Sequence, residues 1–142
     1  LTTFDKAPDG KIGPYTLDAN DSFNMHLMLE NGAAGVVHAS RFASGHFNDL
    51  SLKIFGTKGG LLVQSIDQKS SLRASIGEAM NAAHWDDVSV PDVPSNHRRF
   101  VSAIRDGRPV TPDFARGADL QNVLDLAVQS NSQDCRDLSV SR

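Results

Sequence analysis

Apolar and polar residues alternate strictly from Ser22 to Glu30, with Phe23, Met25, Leu27 and Leu29 on one side and Ser22, Asn24, His26, Met28 and Glu30 on the other. A period of two is the signature of a β-strand with one face against a core. A second such run, AAGVVHASRF, follows directly, and Asn31-Gly32 stands between the two. Asn-Gly readily supplies the two positive-φ positions of a type I′ turn, so the spacing predicts a two-residue hairpin loop. That loop would set Leu29 opposite Ala34, Leu27 opposite Val36, Met25 opposite His38 and Phe23 opposite Ser40. The next connection, Ala43-Ser44-Gly45-His46, decides which way a third strand faces. One extra loop or bulge residue brings Leu50, Leu52 and Ile54 to the apolar face, and hydrophobic continuity favours that register. The opposite, mixed face would then carry Asn24, His26, Val37, Arg41, Asp49, Ser51 and Lys53.

Gly56-Thr57-Lys58-Gly59-Gly60 predicts another hairpin turn, and further strands are expected near Leu61–Ile66, Ser71–Ile76 and Trp85–Val90. Before the hairpins, a short strand near Leu1–Phe4 leads into a Pro- and Gly-rich loop over residues 6–14. Two helices close the pattern. One runs from about Asn96 to Asp106, with His97, Phe100, Val101 and Ile104 on one side, Ser95 as cap, Gly107 as stop and Pro109 blocking continuation. The other starts after Asp113, which caps it, and runs to about Ser130 with Leu120, Val123, Leu124 and Ala127 on one stripe. Leu138-Ser139-Val140 could add a short edge strand. Strands grouped first and helices grouped last predict an α+β domain spanning residues 1–142: an open, mostly antiparallel sheet with helices packed on one face.

Composition narrows the function classes. Lys and Arg number 14 against 17 Asp and Glu, a net charge of −3, so there is no basic field for nucleic acid or an anionic membrane surface. The longest apolar stretches are far too short for a membrane-spanning helix. The single cysteine, Cys135, cannot form an internal disulfide, which fits a reducing cytoplasm. The chain opens at Leu1 on a strand-like segment and reads as the back half of something larger.

Candidate chemistry is sparse. The glycines at 56–60 lack the strand-to-helix setting that lets a glycine-rich loop grip phosphate. Of the five histidines, His26 and His38 would point to opposite faces in the two-residue-loop register, which removes a paired start for a metal site. His46, His84 and His97 have no ligand spacing, so no metal is expected. No Gly-x-Ser-x-Gly elbow occurs and Cys135 has no catalytic context. His84-Trp85-Asp86-Asp87 could hold an acid–base pair, but solvated acids at a strand start explain it as well. Arg41, His46 and Asn48 surround a glycine-containing bend at a hairpin end, where ligand-binding residues concentrate.

Three strings taken together, NGAAGVVHASR, LSLKIFGTKGGL and FVSAIRDGRPVTPDFARGADLQNVLDLAVQS, resemble the C-terminal domain of the Gfo/Idh/MocA (glucose–fructose oxidoreductase/inositol dehydrogenase) family. The likeness runs over about Asp21 to Ser130. It implies a parent enzyme that pairs this domain with an N-terminal Rossmann domain and moves hydride between NAD or NADP and a sugar, inositol or related polyol. It also implies that this domain helps form the substrate site and makes a homo-oligomeric contact through its sheet face. The family's Gly-x-Gly-x-x-Gly loop, its Glu-Lys-Pro segment and its helix with catalytic Asp and His are not found in these residues. No catalytic or cofactor-binding residue therefore transfers to this chain, which is expected to be inactive alone. What transfers is the segment Arg41–Asn48, with Arg41, His46 and Asn48 as substrate-binding candidates. The competing readings are a stand-alone, non-catalytic binding or dimerisation module of the same fold, and a small cone-shaped hydrolase or isomerase domain, whose helices would ordinarily precede the sheet.

Overall fold

A computed structural model describes residues 11–16, 19–67 and 69–141. The strand expected at Leu1–Phe4 and the first part of the 6–14 loop lie outside them. The elements run β1 (Lys11–Ile12), β2 (Tyr15–Thr16), β3 (Ser22–Met28), β4 (Ala34–Ser40), β5 (Asp49–Gly56), β6 (Gly59–Ile66), β7 (Lys69–Ile76), α1 (Glu78–Asn81), β8 (Asp86–Asp87), α2 (Asn96–Asp106) and α3 (Phe114–Ser132). All strand pairs are antiparallel, so the class is α+β as the sequence predicts. The ladder is not continuous, however. It forms two two-stranded sheets, β1-β2 and β3-β4, and a four-stranded sheet β5-β6-β7-β8. The chain divides into two compact units: the described residues up to Phe42 with those from Asn96 onward, and Ala43–Ser95.

In the first unit the β3–β4 hairpin forms, but its register differs from the expected one by one residue. Ser22 opposes Ser40, Asn24 opposes His38, Met25 opposes Val37, His26 opposes Val36 and Met28 opposes Ala34. The loop is three residues long. Leu29 N donates to Ala33 O at 2.8 Å and Gly32 N to Leu29 O at 2.8 Å. Gly32 takes φ 84° while Asn31 is not among the positive-φ residues. Asn31 instead accepts a hydrogen bond from Ala33 N through Oδ1 at 3.0 Å. A type I turn closed by one left-handed glycine thus replaces the two positive-φ positions of a type I′ turn. The slip changes the faces. Val37 joins Phe23, Met25 and Leu27 on the half-buried side, and His38 joins Asn24 and His26 on the exposed side.

Both long helices of this unit form close to their expected bounds. Gly107 adopts φ 62°, the left-handed conformation that suits a residue just past a helix end. Asp113 caps α3, its Oδ1 accepting from Arg116 N at 2.9 Å. Between the helices, Arg99 Nη2 donates to Thr111 O, tying α2 to the segment before α3. The half-buried stripe of α3 is Val123, Leu126, Ala127 and Ser130, rotated from the expected one, with Leu120 and Leu124 exposed. Leu138–Val140 forms no strand. Asp134 and Cys135, at φ 54° and 60°, reverse the chain, and the tail runs back along α3, with Ser130 Oγ donating to Arg136 O at 2.7 Å and Asn122 Nδ2 to Ser141 O at 3.3 Å.

In the second unit, Thr57-Lys58 closes the β5–β6 hairpin between Gly56 and Gly59. Leu50, Leu52 and Ile54 share one face with Leu61, Val63, Leu72, Ala74 and Ile76. The other face carries Asp49, Ser51, Lys53, Phe55, Gly60, Leu62, Gln64, Arg73 and Ser75, with Arg73 Nη2 donating to Gln64 Oε1 at 2.7 Å. Trp85 covers Gly60 there: a Cβ built on Gly60 would stand 2.9 Å from Trp85 Cη2. The strand expected over Trp85–Val90 shortens to β8, and α1 is a single turn that the sequence pattern does not signal.

Candidate functional site

The segment Arg41–Asn48 begins where the β3–β4 ladder ends. Arg41 N donates to Asp21 O at 2.8 Å, which closes the hairpin. The same aspartate meets the guanidinium, with Arg41 Nη1 3.8 Å from Asp21 Oδ1. The Asp21 side chain is wholly buried, whereas that of Arg41 is 68% exposed. The carboxylate therefore pairs with one side of a guanidinium that remains largely in water and keeps further donors for another acceptor. Ser40 Oγ reinforces the exit, lying 2.7 Å from Ser22 Oγ and accepting from Phe42 N at 3.1 Å.

The second half of the segment is organised within the other unit. His46 N donates to Ala43 O at 3.0 Å, closing a turn in which Gly45 takes φ 84°. His46 Nδ1 is hydrogen-bonded to Asp49 Oδ2, the first residue of β5. A carboxylate accepts only, so Nδ1 carries the proton, and in the neutral ring Nε2 presents a lone pair. That is an oriented imidazole, able to accept a hydrogen bond from a hydroxyl group. Asn48 is exposed in the bend between them, beside Phe47, which is 97% exposed. Arg41 thus belongs to the first unit, and His46 and Asn48 to the second.

Asp21 and Asp49, the two carboxylates that steady these side chains, are not among the residues the sequence pattern selects. Asp49 stands three positions from His46 in a tight bend, a spacing that signals a local pair. Asp21 could be found only with the correct hairpin register, because a two-residue loop places Ser22 opposite Arg41.

The remaining candidates resolve simply. Gly56–Gly60 is a hairpin turn flanked by strands on both sides, with no helix N-terminus to hold a phosphate. His84 Nε2 lies 3.3 Å from Asp86 Oδ1, and both side chains are about two-thirds exposed, which fits a solvated pair. His26 and His38 share a face, contrary to the two-residue-loop register. Among the described residues no group of three or more His, Cys, Asp or Glu is placed to hold a metal ion, and no helix is long and apolar enough to cross a membrane.

No curated protein and no solved structure matches the chain significantly. A family model does, over residues 3–136: the oxidoreductase family, C-terminal alpha/beta domain, of Gfo/Idh/MocA type. The match takes in both hairpins, the four-stranded sheet and both long helices, in the order in which the structure arranges them. The chain therefore belongs to the Gfo/Idh/MocA oxidoreductase family, as its C-terminal α/β domain.

Proposed function

We propose that this chain is the substrate-contacting and subunit-contacting domain of an NAD(P)-dependent dehydrogenase that acts on a sugar, inositol or related polyol. The observation that carries this reading is the family match over residues 3–136, in a chain whose only glycine cluster closes a hairpin instead of opening a helix. Hydride exchange in such an enzyme is the chemistry of the nicotinamide, held by a Rossmann domain in the parent. The residues here serve to bind and orient. Arg41, in the first unit, is a candidate donor to substrate hydroxyl or carboxyl oxygens; in the second unit His46, whose ring Asp49 holds, and Asn48 are candidates of their own. The isolated chain should be inactive. We place the parent in the cytoplasm, consistent with its one thiol in this domain, the exposed Cys135.

A homo-oligomeric contact through a sheet face belongs to the same reading. Its support is the row Leu50, Leu52, Ile54, Leu61, Val63 and Ile76, all exposed on one face of the β5–β8 sheet. Together they offer on the order of 500 Å² of apolar surface, at the upper end of what a monomer leaves in water. The same row would serve a stand-alone dimerisation module, so the decisive experiment is kinetic. In the parent enzyme, Arg41→Ala should lower kcat/KM for substrate by roughly 10- to 100-fold, the weight of a hydrogen bond from a charged group, and leave NAD(P) affinity unchanged. Unchanged kinetics would remove Arg41 from the site. Saturable NADH or NADPH binding by the 142-residue chain alone would sink the assignment of the cofactor to the other domain.

A further inference from the structure

We propose that His26 and His38 form a two-histidine site for Zn²⁺ or another imidazole-binding divalent ion, on the exposed face of the β3–β4 hairpin. The inference does not rest on the oxidoreductase reading and comes from the hairpin register. With Asn24 opposite His38 and His26 opposite Val36, the two histidines stand on neighbouring strands, on one face, one diagonal step apart. Leu29 N bonds Ala33 O, and Arg41 N bonds Asp21 O, each at 2.8 Å, which marks the odd-numbered rows as the hydrogen-bonded pairs. Alternation makes the rows of His26 and His38 the non-hydrogen-bonded ones, in which opposing side chains approach most closely. Diagonal neighbours in such rows lie within reach of long side chains.

The second observation is the state of His38. Its Nδ1 lies 2.7 Å from Asn24 Oδ1. An amide oxygen can only accept, so Nδ1 carries the proton, and in the neutral ring Nε2 presents its lone pair. Metal-bound histidines are held in this way, by an acceptor that fixes the ring and raises the basicity of the ligating nitrogen. Asn24 is thus a positioning residue, and it stands on the same face. Both imidazoles are exposed, so a metal ion reaches them with little desolvation. Imidazole nitrogen suits zinc, copper and nickel, and two protein ligands leave the other positions to water. An open two-ligand site of this kind holds an exchangeable ion and not a structural one.

The test uses Zn²⁺ alone, titrated into the 142-residue chain and followed by the side-chain ¹⁵N resonances of its histidines. Before metal is added, His38 should show the Nδ1-protonated tautomer. On titration, Nε2 of His26 and Nε2 of His38 should shift together with a single affinity. His26→Gln and His38→Gln should each weaken that affinity by at least about tenfold and leave the far-UV spectrum unchanged. Asn24→Ala should weaken it by about 10- to 100-fold, and Asn24→Asp, which keeps an acceptor for Nδ1–H, should restore it. Independent shifts of the two rings, no shift at either, or binding lost in His46→Gln and kept in His26→Gln would each overturn the proposal.

Discussion

Replacing Gly60 by Ala should destabilise the four-stranded sheet by about 1–2 kcal/mol, through one identifiable contact. Gly60 is buried under Trp85, and a Cβ there would meet Trp85 Cη2 at 2.9 Å and Ile54 O at 3.5 Å. Its φ is not among the positive values, so the backbone itself accepts alanine. Removing a glycine's freedom from the unfolded chain stabilises by about 0.4–1 kcal/mol. Overpacking a filled site costs about 1–3 kcal/mol, so the clash should win. Because the atom encountered is the tip of an indole, shortening that ring should relieve the cost. Gly60→Ala in a Trp85→Phe background should therefore be close to neutral, giving a coupling of about 1–2 kcal/mol in a double-mutant cycle. Urea unfolding followed by far-UV circular dichroism measures it, provided that the m-values agree. Additivity within about 0.5 kcal/mol would refute the reasoning. Gly59→Ala supplies the contrast. Gly59 has φ 147°, and its added Cβ would stand 2.6 Å from Ser75 O, a backbone atom that cannot swing aside. Its cost should exceed that of Gly60→Ala and be indifferent to Trp85→Phe.

Asp113→Ala should cost about 1 kcal/mol by removing the side-chain acceptor at the start of α3, read as a lower urea midpoint, and Asp113→Ser should recover most of it. In the parent enzyme, Asp49→Ala should reduce kcat/KM for substrate by freeing the His46 ring, with cofactor affinity unchanged; equal losses in both would point to misfolding instead. Leu52→Asp or Ile54→Lys should shift sedimentation equilibrium toward monomer if the apolar row of the β5–β8 sheet makes the subunit contact, and an unchanged oligomer would exclude that row.

Turn chemistry and alternation in the sequence determined that hairpins form at Asn31-Gly32 and at Thr57-Lys58, that α2 ends at Gly107 and that Asp113 caps α3. Each depends on a few neighbouring residues, and a local preference can decide it. The strings that resemble the Gfo/Idh/MocA C-terminal domain led to the family for a related reason, since their order along the chain survives without knowledge of pairing. Register did not follow. Asn-Gly serves both a two-residue loop and a three-residue loop with only the glycine left-handed, and the two differ by one residue. The observed register sets Ser22 against Ser40, Asn24 against His38 and Met25 against Val37, at the expense of setting His26 against Val36, where the other would oppose Met25 to His38 and Phe23 to Ser40. That comparison of polar with polar and apolar with apolar was available in the sequence, and turn propensity alone overrode it. The rotation of the α3 stripe and the complete burial of the Asp21 side chain were not available. They depend on which surfaces meet once the elements exist, and long-range packing decides that, not any window of neighbouring residues.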